Sequence, residues 1–183
     1  AHFSDGIYIK VPRNVFLDAP IYLLSICDDS NLKSSYPRLY IDAQQNSEIK
    51  IIHHHVGAKK QKYYRNNATF INAKENSNVL FTNIYEESEE SFSMNNLIIN
   101  QSRNSQINMQ NFFIKSGFLR SSIRGDLNGK GSSINIDEPL KSYCVINVFN
   151  VLAYFEGHPV NDHVEPVVLV VVPAVDHVEP VVL

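Results

Sequence analysis

"NSNVLFTNI", residues 76–84, decides how this chain is read. A polar pair suited to a turn is followed by residues that alternate, with Val79 and Phe81 on one side and Leu80 on the other. Period two after a turn pair is the signature of a strand. The same arrangement occurs in "NSEIKII" (46–52), "NSQINMQNF" (104–112) and "GSSINI" (131–136), with starts 30, 28 and 27 residues apart. A looser copy, "NVFLDAPIYLL", opens at Asn14, 32 residues before Asn46. Between the copies lie second strand candidates: "YPRLYIDA" (36–43), "NATFINA" (67–73), "MNNLIINQ" (94–101) and "GFLRSSIRGDL" (117–127). Each unit is therefore two short strands and two turns. No stretch gives a convincing helix. The nearest, "YEESEESFSMNN" (85–96), lacks an apolar stripe and is read as a solvated turn. A repeat of this length without helices predicts an all-β solenoid, whose units stack and share one continuous core. A β-sandwich would also give short, evenly spaced strands, but it has no reason to reuse Asn-Ser at near-constant spacing.

Composition agrees and narrows the function classes. The chain has 183 residues, a net charge of −3 and a pI near 6.2, so there is no global electrostatic attraction to nucleic acid or to an anionic membrane. Only 19% of residues are charged, and Asn, Ser and Ile are abundant. Asn disfavours helix interiors and favours turns. Cys27 and Cys144 are too few for a disulfide framework or a Cys-based zinc site, and both are expected to be buried structural thiols in a reducing compartment. The N-terminus shows no signal peptide, and the missing initiator Met suggests that the chain begins partway through a longer product. The longest apolar run, Val167 to Val172, is too short to span a bilayer.

The triple histidine in "IIHHHVG" (51–57) is the most conspicuous candidate site. His53 and His55 share a strand face with Ile49 and Ile51, and His54 takes the opposite face. Two imidazoles roughly 7 Å apart along a strand can share a metal ion, given a third or fourth ligand. His53 and His55 are thus the candidate metal ligands. The plainer expectation is a polar outer face on a solenoid strand. Other candidates are thinner. "SIRGDLNGKGSS" lacks phosphate-loop spacing, and Asp126-Leu-Asn128-Gly129 begins like a calcium loop with no Glu where the motif needs one. "KKQKYYRNN" (59–67) is one short basic and aromatic run and reads as a solvated turn. No Ser-His-Asp arrangement can be argued.

The spaced residues resemble the SufB/SufD family of the SUF iron–sulfur cluster assembly machinery. The opening of that family's β-helical core follows D-G-x-x-I-x-V-P-x-N-x-x-L-x-x-P-I, and Asp5, Gly6, Ile9, Val11, Pro12, Asn14, Leu17, Pro20 and Ile21 match it. "YPRLYIDAQQNSEIKIIHHHVG", "FINAKENSNVLFTNIYEESEESFSMN" and "GFLRSSIRGDLNGKGSSINI" follow in the family's order, and Arg120 to Gly131 fits its R-x-D-L-x-x-x-L-x-G-x-G segment imperfectly. Asp5-Gly6 and Pro37-Arg38 resemble SufD more closely than SufB. The resemblance covers residues 1–136 and implies a right-handed parallel β-helix. It also implies a non-catalytic scaffold that pairs with SufB and the ATPase SufC, in the cytoplasm or in a plastid. The cluster would belong to the assembled complex, with no cofactor bound tightly by this chain and no nucleic-acid or membrane partner. In that family the SufB–SufD interface and the assembly residues lie in the later part of the β-helix, so none is carried onto a position here.

Residues 137–183 depart from the family. "DHVEPVVL" occurs at 162–169 and again at 176–183, a perfect copy unlike the diverged solenoid units. The segment is expected to be an irregular Val/Pro-rich tail in which His158, His163, His177, Asp162 and Asp176 could be drawn as a metal site. Two other classes stay open: a SufB-like paralogue, and a carbohydrate-binding or carbohydrate-active β-solenoid.

Overall fold

Asn14, Asn46, Asn76 and Asn104 all adopt left-handed backbone, with φ of 61°, 55°, 56° and 53°. Asn tolerates this conformation better than other residues with a side chain, because its short amide can hydrogen-bond locally. The amides then stack. Asn46 Nδ2 donates to Asn14 Oδ1 (2.9 Å), Asn76 to Asn46 (3.0 Å) and Asn104 to Asn76 (3.3 Å). The following serine closes each turn. Ser47, Ser77 and Ser105 donate from Oγ to the carbonyls of Gln44, Lys74 and Ser102, three residues back (2.5, 2.6 and 2.7 Å). At the last such corner Gly131 takes the left-handed position, φ 74°, and its missing Cβ leaves room for the Asn104 amide oxygen. Ser132 repeats the serine bond to Gly129 O at 2.8 Å. The recurring Asn-Ser is therefore a turn device: one residue supplies the backbone conformation and the other the hydrogen bond.

The chain is a parallel β-helix of about four turns in a computed structural model that describes residues 5–27, 34–138, 144–155 and 169–173. Side chains are described for 6–27 and 34–137. One sheet holds β1 (Asp5–Val11), β3 (Ser34–Ser35), β4 (Pro37–Ala43), β6 (Tyr64–Ala73) and β8 (Phe92–Gln101). The other holds β2 (Ile21–Cys27), β5 (Glu48–Gly57), β7 (Asn78–Glu86), β10 (Ser133–Glu138) and β12 (Leu169–Pro173). The long β9 (Gln106–Leu127) runs through both, pairing β7 with its first half and β8 with its second. All these pairings are parallel. Beyond residue 136 the ladder continues, with β11 (Cys144–Phe155) lying parallel to the second half of β9. The histidines and aspartates at 158, 162, 163, 176 and 177 lie outside the described residues.

Parity places the core. Along β5 every second side chain is buried, starting from Ile49. Register then stacks like on like from coil to coil. One inward row is Ile49, Val79, Ile107, Ile134, and the next is Ile51, Phe81, Met109, Ile136. The facing sheet contributes Ile41, Ile71 and Ile99. Each of these is at most 2% exposed, so the apolar rows form a continuous buried column beside the Asn corner.

Candidate functional site

Farther from the Asn corner the same inward positions turn polar. The next rows of one sheet are His53, Asn83, Asn111 and His55, Tyr85, Phe113. The facing sheet supplies Arg65, Ser93, Leu119 and Asn67, Asn95, Ser121. All of these side chains are buried. Their polar atoms pair largely with one another, as burial demands. Asn67 Nδ2 donates to Asn95 Oδ1 (2.6 Å), and Asn83 Nδ2 to Asn111 Oδ1 (2.8 Å).

Arg65 is the centre of the group. It is 1% exposed, and its Nη1 donates to Glu87 Oε1 at 2.8 Å and to His55 Nδ1 at 3.2 Å. Its Nη2 donates to Cys27 Sγ at 2.7 Å, and its guanidinium lies over the Tyr63 ring, 5.7 Å from the centroid. Glu87, also 1% exposed, sits on the corner between β7 and β8 and accepts a short hydrogen bond from Ser93 Oγ. Burial works against the charge on Arg65, but Glu87 and Cys27 more than offset it and hold the guanidinium above its usual range. Burial pushes the Glu87 carboxyl upward, against the pull of Arg65 and of hydrogen bonds from Ser93 and Ser91. Burial also raises the Tyr63 phenol to about 12, with Glu87 adding to the shift.

These contacts revise four sequence expectations. "KKQKYYRNN" is not a solvated turn throughout, since β6 begins at Tyr64, and Tyr63 and Arg65 are buried. "YEESEESFSMNN" is likewise not solvated at Glu87, Ser88 and Ser91, which close the corner from inside. His53 and His55 do not lie on a polar outer face, because they share parity with Ile49 and Ile51 and point inward. Cys27 ends its strand as expected but is half-exposed, and its sulfur accepts from the guanidinium. The Cys144 side chain lies outside the described residues.

His53 and His55 do come together, with ring centroids 3.9 Å apart. One nitrogen of each ring has another partner. His53 Nε2 pairs with Ser25 Oγ at 2.8 Å, and His55 Nδ1 accepts from Arg65 and Asn67. The His55 ring begins a stack with Tyr85 (4.8 Å) and Phe113 (5.1 Å). Burial lowers the pKa of both, that of His53 to about 4, with Arg65 adding to each. Among the described residues no group of three or more His, Cys, Asp or Glu is placed to hold a metal ion. The pair is thus seated by stacking and hydrogen bonds beside a fixed positive charge.

A cavity of about 700 Å³ opens beside this group, walled by Ser25, Cys27, His53, Tyr63, Arg65 and Asn67 among others. His53 Nδ1 and Asn67 Oδ1 are buried without a protein partner. Sequence reasoning missed Arg65, Glu87 and the buried asparagines. The available signal was parity: Arg65 and Asn67 alternate in phase with Ile71.

On the outer face His54 makes the opposite set of contacts, to Tyr22 and Glu86. Comparison with known protein families shows that residues 25–139 fit the family model described as SUF system FeS cluster assembly, SufBD core domain. The match covers more than half of the chain and runs from within β2 to just past β10. No curated protein matches the chain.

Proposed function

The chain belongs to the SufBD core family of the SUF FeS cluster assembly system, and from that premise we propose that it is a non-catalytic scaffold subunit of the SufD type. The observation that carries the reading is the coincidence of the family match with the stacked coils. The matched residues are the ones that build the apolar column and the polar interior. A rigid solenoid of this kind suits a scaffold, since its outer faces hold fixed positions for partners. The Asp5-Gly6 opening and Pro37-Arg38 favour SufD over SufB.

In this reading the partners are a SufB-like subunit and a SufC-like ATPase, the cluster forms in the assembled complex, and the chain works in the cytoplasm or a plastid. The test is to purify the native complex through this chain and identify its components by mass spectrometry. Recovery of SufB-like and SufC-like subunits in stable association supports the reading. Recovery of the chain alone, or with unrelated partners, removes it.

A further inference from the structure

The outward member of the histidine run is the one whose contacts suit chemistry. Tyr22, on β2, places its phenol oxygen 2.6 Å from His54 Nδ1, and His54 Nε2 lies 3.2 Å from Glu86 Oε2. The three residues sit on three successive coils, offset diagonally across the outer face. A carboxylate only accepts, so in the neutral imidazole the ring proton is on Nε2 and Nδ1 accepts from the phenol. The chain of bonds then has one polarity: phenol to imidazole to carboxylate. A nucleophile within hydrogen-bond reach of a base that is itself oriented by a third group is the general arrangement for an activated nucleophile. Tyr22 is 54% exposed, so the oxygen can be reached from solvent.

We propose that Tyr22 is an acyl-acceptor site, activated by His54 and Glu86, for uncharged activated esters. The surroundings select that class. Leu24 and Ile26 project from the same face of β2 and are both more than half exposed, giving an apolar bed beside the phenol. The Glu86 carboxylate disfavours an anionic donor such as a phosphoryl compound. In the step, Tyr22 Oη attacks the acyl carbon and a new C–O bond forms. The bond to the leaving alcohol or thiol breaks, and that group departs with the electron pair. The phenolic proton passes to His54 Nδ1 and from there to the leaving group, while Glu86 stabilises the imidazolium through Nε2–H. Water can later cleave the tyrosyl ester, returning the phenol and releasing the acid.

The chain contains its own comparison. Tyr8 is also exposed and also donates, but to the Asp42 carboxylate at 3.2 Å with no imidazole between. The probe is p-nitrophenyl acetate, applied to the full chain, with nitrophenol release followed in time and acetylated residues located by peptide mass spectrometry. The expected result is an early release of about one nitrophenol per chain, with acetyl on Tyr22 at least tenfold ahead of Tyr8 and Tyr40. His54→Gln should slow acetylation of Tyr22 by about a hundredfold, the lower end of what a positioned base contributes. Glu86→Gln should slow it less. Tyr22→Phe should abolish the early release while far-ultraviolet circular dichroism and the unfolding midpoint stay as in the parent. Labelling of Tyr22 no faster than Tyr8, or undiminished early release from Tyr22→Phe, would overturn the proposal. The second outcome would make His54 itself the nucleophile.

Discussion

Arg65 and Glu87 form an ion pair at 2.8 Å inside the solenoid, with side chains 2% and 0% exposed. Removing one member strands a buried charge, which typically costs 3–5 kcal/mol, whereas replacing both by apolar groups is often neutral. Glu87→Ala should therefore lower stability by about 3–5 kcal/mol, and Arg65→Met by a similar amount. The double variant Arg65→Met/Glu87→Leu should lose less than either single one. Urea unfolding of the four proteins checks this, and a double variant weaker than both singles would refute it.

The buried histidines give stability a pH dependence of defined sign. Burial lowers the pKa of His53 from the ordinary 6.5 to about 4 and also lowers that of His55. Below about 6.5 the unfolded chain takes up protons on both imidazoles and the folded chain does not. Their contribution is therefore complete above that pH and declines as pH falls toward 4. For His53 alone the loss is on the order of 3 kcal/mol. Unfolding midpoints measured from pH 8 to pH 4.5 should decline through this window, and His53→Gln/His55→Gln should flatten the decline. A profile unchanged by that double variant would assign the dependence to other groups.

The Asn corner separates a backbone requirement from a side-chain one. Asn76→Ala loses the amide bonds above and below, and it leaves a Cβ in left-handed backbone without the amide that makes this conformation tolerable for Asn, a conformation that costs ordinary residues about 1–2 kcal/mol. Asn76→Gly keeps the conformation and loses only the bonds. Alanine should be the worse substitution in a denaturant titration. Equal losses would mean that the amide stack, and not φ, dominates.

Gly117 lies within β9, where the strand passes the corner opposite the asparagines. A Cβ there would sit 2.5 Å from the Glu89 carbonyl oxygen and 2.6 Å from that of Ser91, both backbone atoms. Gly117→Ala should cost about 1–3 kcal/mol, as overpacking of a closed site does. Gly129→Ala would confound the test, being close to the Asn corner, so Ser122→Ala on the outer face of the same strand is the better control. Thermal unfolding distinguishes the two.

The repeat was legible because the turn device and the apolar rows use residues with narrow conformational or burial preferences. Asn-Ser marks each corner, and Ile49, Val79, Ile107 and Ile134 alternate with outward residues in a way that only strands explain. The polar interior was not legible. His53, Asn83 and Asn111 resemble solvent-facing residues in type, and only their phase with Ile49, Val79 and Ile107 marks them as inward. The Arg65–Glu87 pair depends on coil stacking, since its members are 22 residues apart and Glu87 belongs to a corner that resembles a charged loop. The histidine run shows this: parity divided it correctly, and the inward side is the one in phase with Ile49 and Ile51.

The two corners of the coil differ in one further respect. Segments 44–47, 74–77 and 102–105 on the Asn corner each have four residues, whereas the opposite connections are 58–63 and 87–91, and β9 passes that corner with no break at all. The Asn corner links successive coils through its amide stack, and its last segment, 128–132, has five residues while Ser133 still pairs with Gln106, so one added residue is taken up there without a change of register. The opposite corner varies more, from six residues to none. Loops grafted into 58–63 should therefore be carried without loss of register, making that edge the place where the solenoid can acquire new contacts while its column stays intact.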